Sequence, residues 1–91
     1  MASGVSYSVR IKRSAAKELA GIPQPMRNRV VSAIDRLAEE PLAGTPLKGG
    51  LRGLRRLRIG DHRVIYELLD NELIILVVRI ARRRTVYRWR A

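Results

Sequence analysis

The 91-residue sequence contains no cysteine, a single histidine and only eight acidic side chains. Without thiols there is neither a disulfide framework nor a thiolate metal site, and such a composition fits a reducing compartment, here expected to be the cytoplasm. With His62 alone, acid–base catalysis by a histidine pair is excluded. The carboxylates of Glu18, Asp35, Glu39, Glu40, Asp61, Glu67, Asp70 and Glu72 form no motif of the kind that holds Mg²⁺, and no His/Cys set exists for zinc. Neither a metal nor any other cofactor is therefore expected. The longest uninterrupted apolar run, Leu73 to Val78, falls far short of the roughly 18 residues that a membrane-spanning helix needs. The opening Met1-Ala-Ser-Gly-Val-Ser shows no basic segment leading into an apolar one, so neither a signal peptide nor a membrane partner is expected.

What the sequence has in excess is positive charge: 19 Lys and Arg give a formal net charge of +11. Such a field attracts polyanions and speeds encounter with them. The excess is concentrated late, since residues 48–91 hold twelve basic and four acidic side chains while residues 1–47 hold seven and four. Sixteen of the cations are arginine, whose planar fork grips phosphate in a bidentate way and stacks on bases, as lysine does not. The balance favours nucleic acid as a partner.

The length suits one domain, expected to span residues 1–91, with a modest core. Tyr7, Val9 and Ile11 alternate with Ser8, Arg10 and Lys12, which predicts a strand. Ser14 as N-cap and the apolar Ala15, Ala16, Leu19 and Ala20 predict a short helix ending at Gly21. Met26, Val30, Ala33, Ile34 and Leu37 recur at three and four, predicting a second helix from about Pro25 to Glu40, stopped by Pro41. A Gly/Pro-rich link runs from Leu42 to Gly50. Three strands then come in succession, about Leu54–Ile59, His62–Leu69 and Glu72–Ile80, with Gly60-Asp61 and Asp70-Asn71 as two-residue turns. The expected architecture is α+β, two N-terminal helices on one side of a four-stranded antiparallel sheet in the order β-α-α-β-β-β. A basic C-terminal tail or short helix closes the chain.

On the strand at 54–59, alternation sends Arg56 and Arg58 to one face and Leu57 and Ile59 to the other. Arg63, just across the tight turn, adds a third cation if its register matches. The competing reading is the solvated side of an amphipathic sheet, partly neutralised by Asp61 and Glu67. The tail from Arg82 to Arg90 places Tyr87 and Trp89 among five arginines, a mixture suited to unpaired RNA, although a basic tail that binds any polyanion has the same composition. RNA can be cut without metal, because its own 2′-hydroxyl can attack the adjacent phosphate. Arginines stabilise the charge that develops, and Tyr87, its acidity raised by neighbouring cations, is the natural proton carrier.

Several blocks in order resemble a family: Tyr7-Ser-Val-Arg-Ile-Lys, Ser14-Ala-Ala-Lys-Glu-Leu, Leu47-Lys-Gly, Leu57-Arg-Ile-Gly-Asp-His-Arg-Val-Ile-Tyr66 and Val78-Arg-Ile-Ala-Arg-Arg-Arg-Thr-Val-Tyr87. With them the chain resembles the RelE/ParE superfamily of type II toxin–antitoxin toxins, and its RelE-like branch in particular. The resemblance implies cleavage of mRNA in the ribosomal A site by a catalytic set that falls on Arg56, Arg58, Arg63, Arg83 and Tyr87. Arg55, Arg82, Arg84, Arg88, Trp89, Lys48 and Arg52 are the accompanying candidates for RNA binding. Many relatives carry Gly-His-Arg after the last strand where this chain has Ala81-Arg82-Arg83, and some carry lysine at the positions of Arg56 and Arg58. The implied partners are the ribosome with its mRNA and a cognate antitoxin whose acidic segment wraps the basic surface. Two alternatives stay open at this point: a ParE-like inhibitor of DNA gyrase, and a non-catalytic nucleic-acid-binding module.

Overall fold

The structure is a computed structural model that describes residues 6–49 and 53–82. The first strand, β1 (Ser8–Ile11), leads into helix α1 (Arg13–Ala20), and a tight link leads on to helix α2 (Met26–Arg36). Then come a two-residue strand β2 (Thr45–Pro46), β3 (Leu54–Ile59), β4 (His62–Leu69) and β5 (Ile74–Arg82).

The sheet has five strands in the order β1-β5-β4-β3-β2. The two helices carry the chain from β1 to the far edge, and the β3-β4-β5 meander walks back until β5 lies beside β1. There β1 runs parallel to β5, so the sheet is mixed rather than purely antiparallel as expected. The fifth strand lies inside what reads as a Gly/Pro link. Thr45 pairs with Arg56 and Pro46 with Arg55, a place proline tolerates because it is an outer strand.

Element boundaries differ from the expected ones for local reasons. Ser14 makes no side-chain cap, and α1 begins two residues earlier, with Lys12 rather than Ser14 at the cap position. The last turn after α2 tightens to bonds spanning three residues, Leu37 to Ile34 and Ala38 to Asp35, so the helix proper ends at Arg36. Gly60-Asp61 does form a two-residue turn, with Ile59 paired to His62 and Gly60 at φ +59°. The β4–β5 connection is longer than expected. Asp70–Glu72 makes one 3₁₀ turn, Leu73 adopts a left-handed φ of 55°, and β5 starts at Ile74.

The core lies between the helices and one sheet face. Ala15, Ile22, Val30, Ile34 and Leu37 from the helical side meet Ile59, Val64, Tyr66, Ile75, Val77 and Ile80 from the strands. On β5 the core residues are spaced by two from Ile75 to Val77 but by three from Val77 to Ile80. The ladder explains it: Tyr66 pairs with Val77 and Ile65 with Arg79, leaving Val78 as an extra residue in a bulge. At the β3 end, buried Tyr66 donates its hydroxyl proton to the Pro41 carbonyl at 2.7 Å and accepts the Gly44 N–H at 3.0 Å. This pins the link that precedes β2.

Candidate nucleic-acid interface

Alternation on β3 sends Leu57 and Ile59 to the core and leaves Arg56 and Arg58 on the face turned away from the helices. On β4, Val64 and Tyr66 are core residues, so Arg63 lies on that same outer face. The register brings Arg58 directly opposite Arg63, and Arg56 opposite Ile65. The next strand completes two rows, Arg56–Ile65–Arg79 and Arg58–Arg63–Ala81. Directly opposed side chains in an antiparallel pair have Cβ atoms only about 5 Å apart, and like charges there oppose folding. A small protein that places two guanidinium groups so has a surface suited to an anion that bridges them.

The other candidates fall elsewhere. Arg55, one residue out of phase, turns to the helix side, where its Nη2 donates to the Gly44 carbonyl at 2.8 Å and the Leu42 carbonyl at 3.3 Å. It braces the link before β2 and is separated by the sheet from Arg56 and Arg58. Arg82, exposed at the end of β5, stands 3.6 Å from the Asp61 carboxylate. Asp61 thus faces Arg82. Such an exposed pair contributes little to stability. Lys48 is exposed beyond β2. His62 shares the face of Val64 and Tyr66, away from Arg63, and borders a cleft of about 330 Å³ with Lys17, Pro23 and Arg82. Arg52, Arg83, Arg84, Tyr87, Arg88 and Trp89 lie outside the described residues.

One contact escapes the sequence reading. Glu18 of α1 accepts hydrogen bonds from the Ile80 N–H and the Arg79 Nε–H, each at 2.8 Å. A signal for it exists: Glu18 comes three residues after buried Ala15, placing a carboxylate beside the apolar stripe of the helix, where an acidic group needs a partner. Among the described residues no group of three or more His, Cys, Asp or Glu side chains is arranged to hold a metal ion. Nor is any helix among them long and apolar enough to cross a membrane.

Comparison with known proteins agrees with this frame. Residues 9–87 match the family described as the ParE toxin of the type II toxin–antitoxin system parDE. Toxin RelE of Mycobacterium tuberculosis is 34% identical over 84 residues, covering 90% of this chain and 87% of that protein. Toxin RelG of the same organism is 32% identical over 84 residues, covering 90% of this chain and 97% of the relative. Among solved structures, the toxin–antitoxin complex RelBE2 from Mycobacterium tuberculosis contains a chain that superposes with a TM-score of 0.81 at 31% identity, over 87% of this chain and 100% of that one. The chain belongs to the RelE/ParE family of toxins of type II toxin–antitoxin systems.

Proposed function

We propose that this toxin is a ribosome-dependent endoribonuclease that cuts mRNA in the A site and so arrests translation in the cytoplasm. The observation that carries the reading is the arginine pair Arg58 and Arg63, directly opposed on the outer sheet face with Arg56 beside them. The substrate's 2′-hydroxyl attacks the adjacent phosphorus, the bond to the 5′-oxygen breaks, and a cyclic phosphate and a free 5′-hydroxyl remain. Arg56, Arg58 and Arg63 hold the RNA backbone and balance the extra negative charge of the five-coordinate phosphorus, with Arg83 as a further cation. Guanidinium is too weak an acid to exchange protons at neutral pH, so Tyr87 takes that part. The chemistry asks for no metal. A site built only from charge stabilisation and one phenol gains most from having its substrate held in place, which is what the ribosome supplies. Arg82, Arg84, Arg88, Trp89, Lys48 and Arg52 extend the RNA contact, and a domain covering residues 1–91 carries the whole site.

A free protein of net charge +11 that stops translation needs a neutralising ligand. The RelBE2 structure is a toxin–antitoxin complex, and an antitoxin with an acidic segment laid over the arginine face fills that role here. The family match to ParE toxins supports one second reading, inhibition of DNA gyrase. A translating extract with added protein separates them. Cleavage within ribosome-bound codons, read by primer extension, is the expected outcome. Trapped DNA breaks in a supercoiling assay with translation intact would replace it by the gyrase reading, and salt-sensitive RNA binding with no cut ends would leave a binding module.

A further inference from the structure

Past Val77 the β5 strand runs on without β1 beside it. The parallel ladder ends where Ile11 meets Val77, and the chain turns into α1 at Arg13. From there the outer edge of β5 offers backbone groups that need another partner. Glu18 fills the gap with both oxygens: Oε1 accepts the Ile80 N–H and Oε2 the Arg79 Nε–H, each at 2.8 Å. The clamp sits on the bulge at Val78, a feature that re-aims the later residues of a strand. Hydrogen bonds to an ionised carboxylate are shorter and stronger than neutral ones, and this one is only 30% exposed.

Beyond the bulge the sequence runs into its arginine-dense end. Ala81 pairs with Arg63, and Arg82 and Arg83 come next in sequence. We propose that Glu18 is a positioning residue: by clamping the bulged edge of β5 it sets where the end of that strand, Ala81 and Arg82, lies relative to Arg58 and Arg63. The inference rests on the ribonuclease reading and deepens it. Glu18 acts only through Arg79 and Ile80, from the helix side of the sheet.

The test uses the full chain as wild type, Glu18→Ala and Glu18→Gln. Single-turnover cleavage of ribosome-bound message is measured over a ribosome titration, with thermal unfolding and amide exchange alongside. In the folded alanine variant the rate at saturating ribosomes is expected to fall roughly 10- to 100-fold, the size of effect that a small misplacement of reacting groups produces. The half-saturating ribosome concentration stays within about two-fold, because binding itself is not altered. The Ile80 amide exchanges faster while that of Val64 does not. Glutamine keeps an acceptor for Ile80 and restores part of the rate; where alanine fails to fold, glutamine carries the same comparison, since loss of the charge alone weakens the clamp. A folded variant that cuts at the wild-type rate, or a loss no larger than the unfolded fraction, overturns the inference. A wild-type chain that cuts nothing sinks the ribonuclease reading instead.

Discussion

Arg58 and Arg63 face each other across the β3–β4 hairpin, with the Ile59–His62 pair between them and the Gly60-Asp61 turn. Like charges directly opposed in this way repel each other, and an anion between them offsets that repulsion. Arg58→Ala is therefore expected to leave stability unchanged or raise it by up to about 0.5 kcal/mol, measured by urea unfolding. The same substitution weakens RNA binding, and the slope of log affinity against log salt falls by roughly one for each phosphate no longer neutralised. A loss of stability on removing the charge would show that the pair holds the fold together.

Tyr66 and Gly44 form the joint at the opposite edge. Tyr66→Phe leaves the buried Gly44 N–H without an acceptor, with an expected cost of about 1–3 kcal/mol. Gly44→Ala is expected to be at least as damaging. Its Cβ would stand 2.7 Å from the Arg56 carbonyl oxygen and 2.8 Å from the Tyr66 hydroxyl, and backbone in a ladder cannot easily give way. Equilibrium unfolding of both variants checks this.

The phenol of Tyr7 donates to the Asp70 carboxylate at 2.9 Å. That hydrogen bond, reinforced by desolvation and by the negative charge of Asp70, holds the Tyr7 pKa above its ordinary 10.0. The folded state thus binds this proton more tightly than the unfolded chain does. Its contribution to stability is fully present below the unfolded value and disappears as pH rises through the folded one. Asp70→Asn is expected to return one phenolate transition, followed by near-ultraviolet absorbance, toward the ordinary value. An unchanged titration would mean that the contact does not form in solution.

These relationships differ in how readable they are. Alternation alone places Arg56 and Arg58 on one face and Leu57 and Ile59 on the other, because period two is a property of the strand itself. The Gly60-Asp61 turn then carries Arg63 to the same side, since a two-residue loop fixes the register of the hairpin. Composition groups Arg55 with its neighbours, and only the ladder shows it bent to the carbonyls of Leu42 and Gly44. Strand β2 hides behind Pro46, whose residue type argues against a strand except at an edge. The parallel β1–β5 pairing joins segments more than sixty residues apart, and no local pattern encodes such a contact. Glu18 is legible as an acidic residue beside an apolar stripe, yet its partners at Arg79 and Ile80 depend on the bulge, which a linear reading of 74–82 does not show.

The most direct test of the central claim is cleavage of ribosome-bound message by Arg63→Ala beside the wild-type chain, with folding of both verified by circular dichroism. If opposed arginines on the outer sheet face stabilise the reacting phosphate, the wild type leaves sharp cut ends. The variant, equally folded, is then slower by roughly two to three orders of magnitude, the usual loss on removing one preorganised charge-stabilising group. Cutting by a folded Arg63→Ala protein at the wild-type rate contradicts that role.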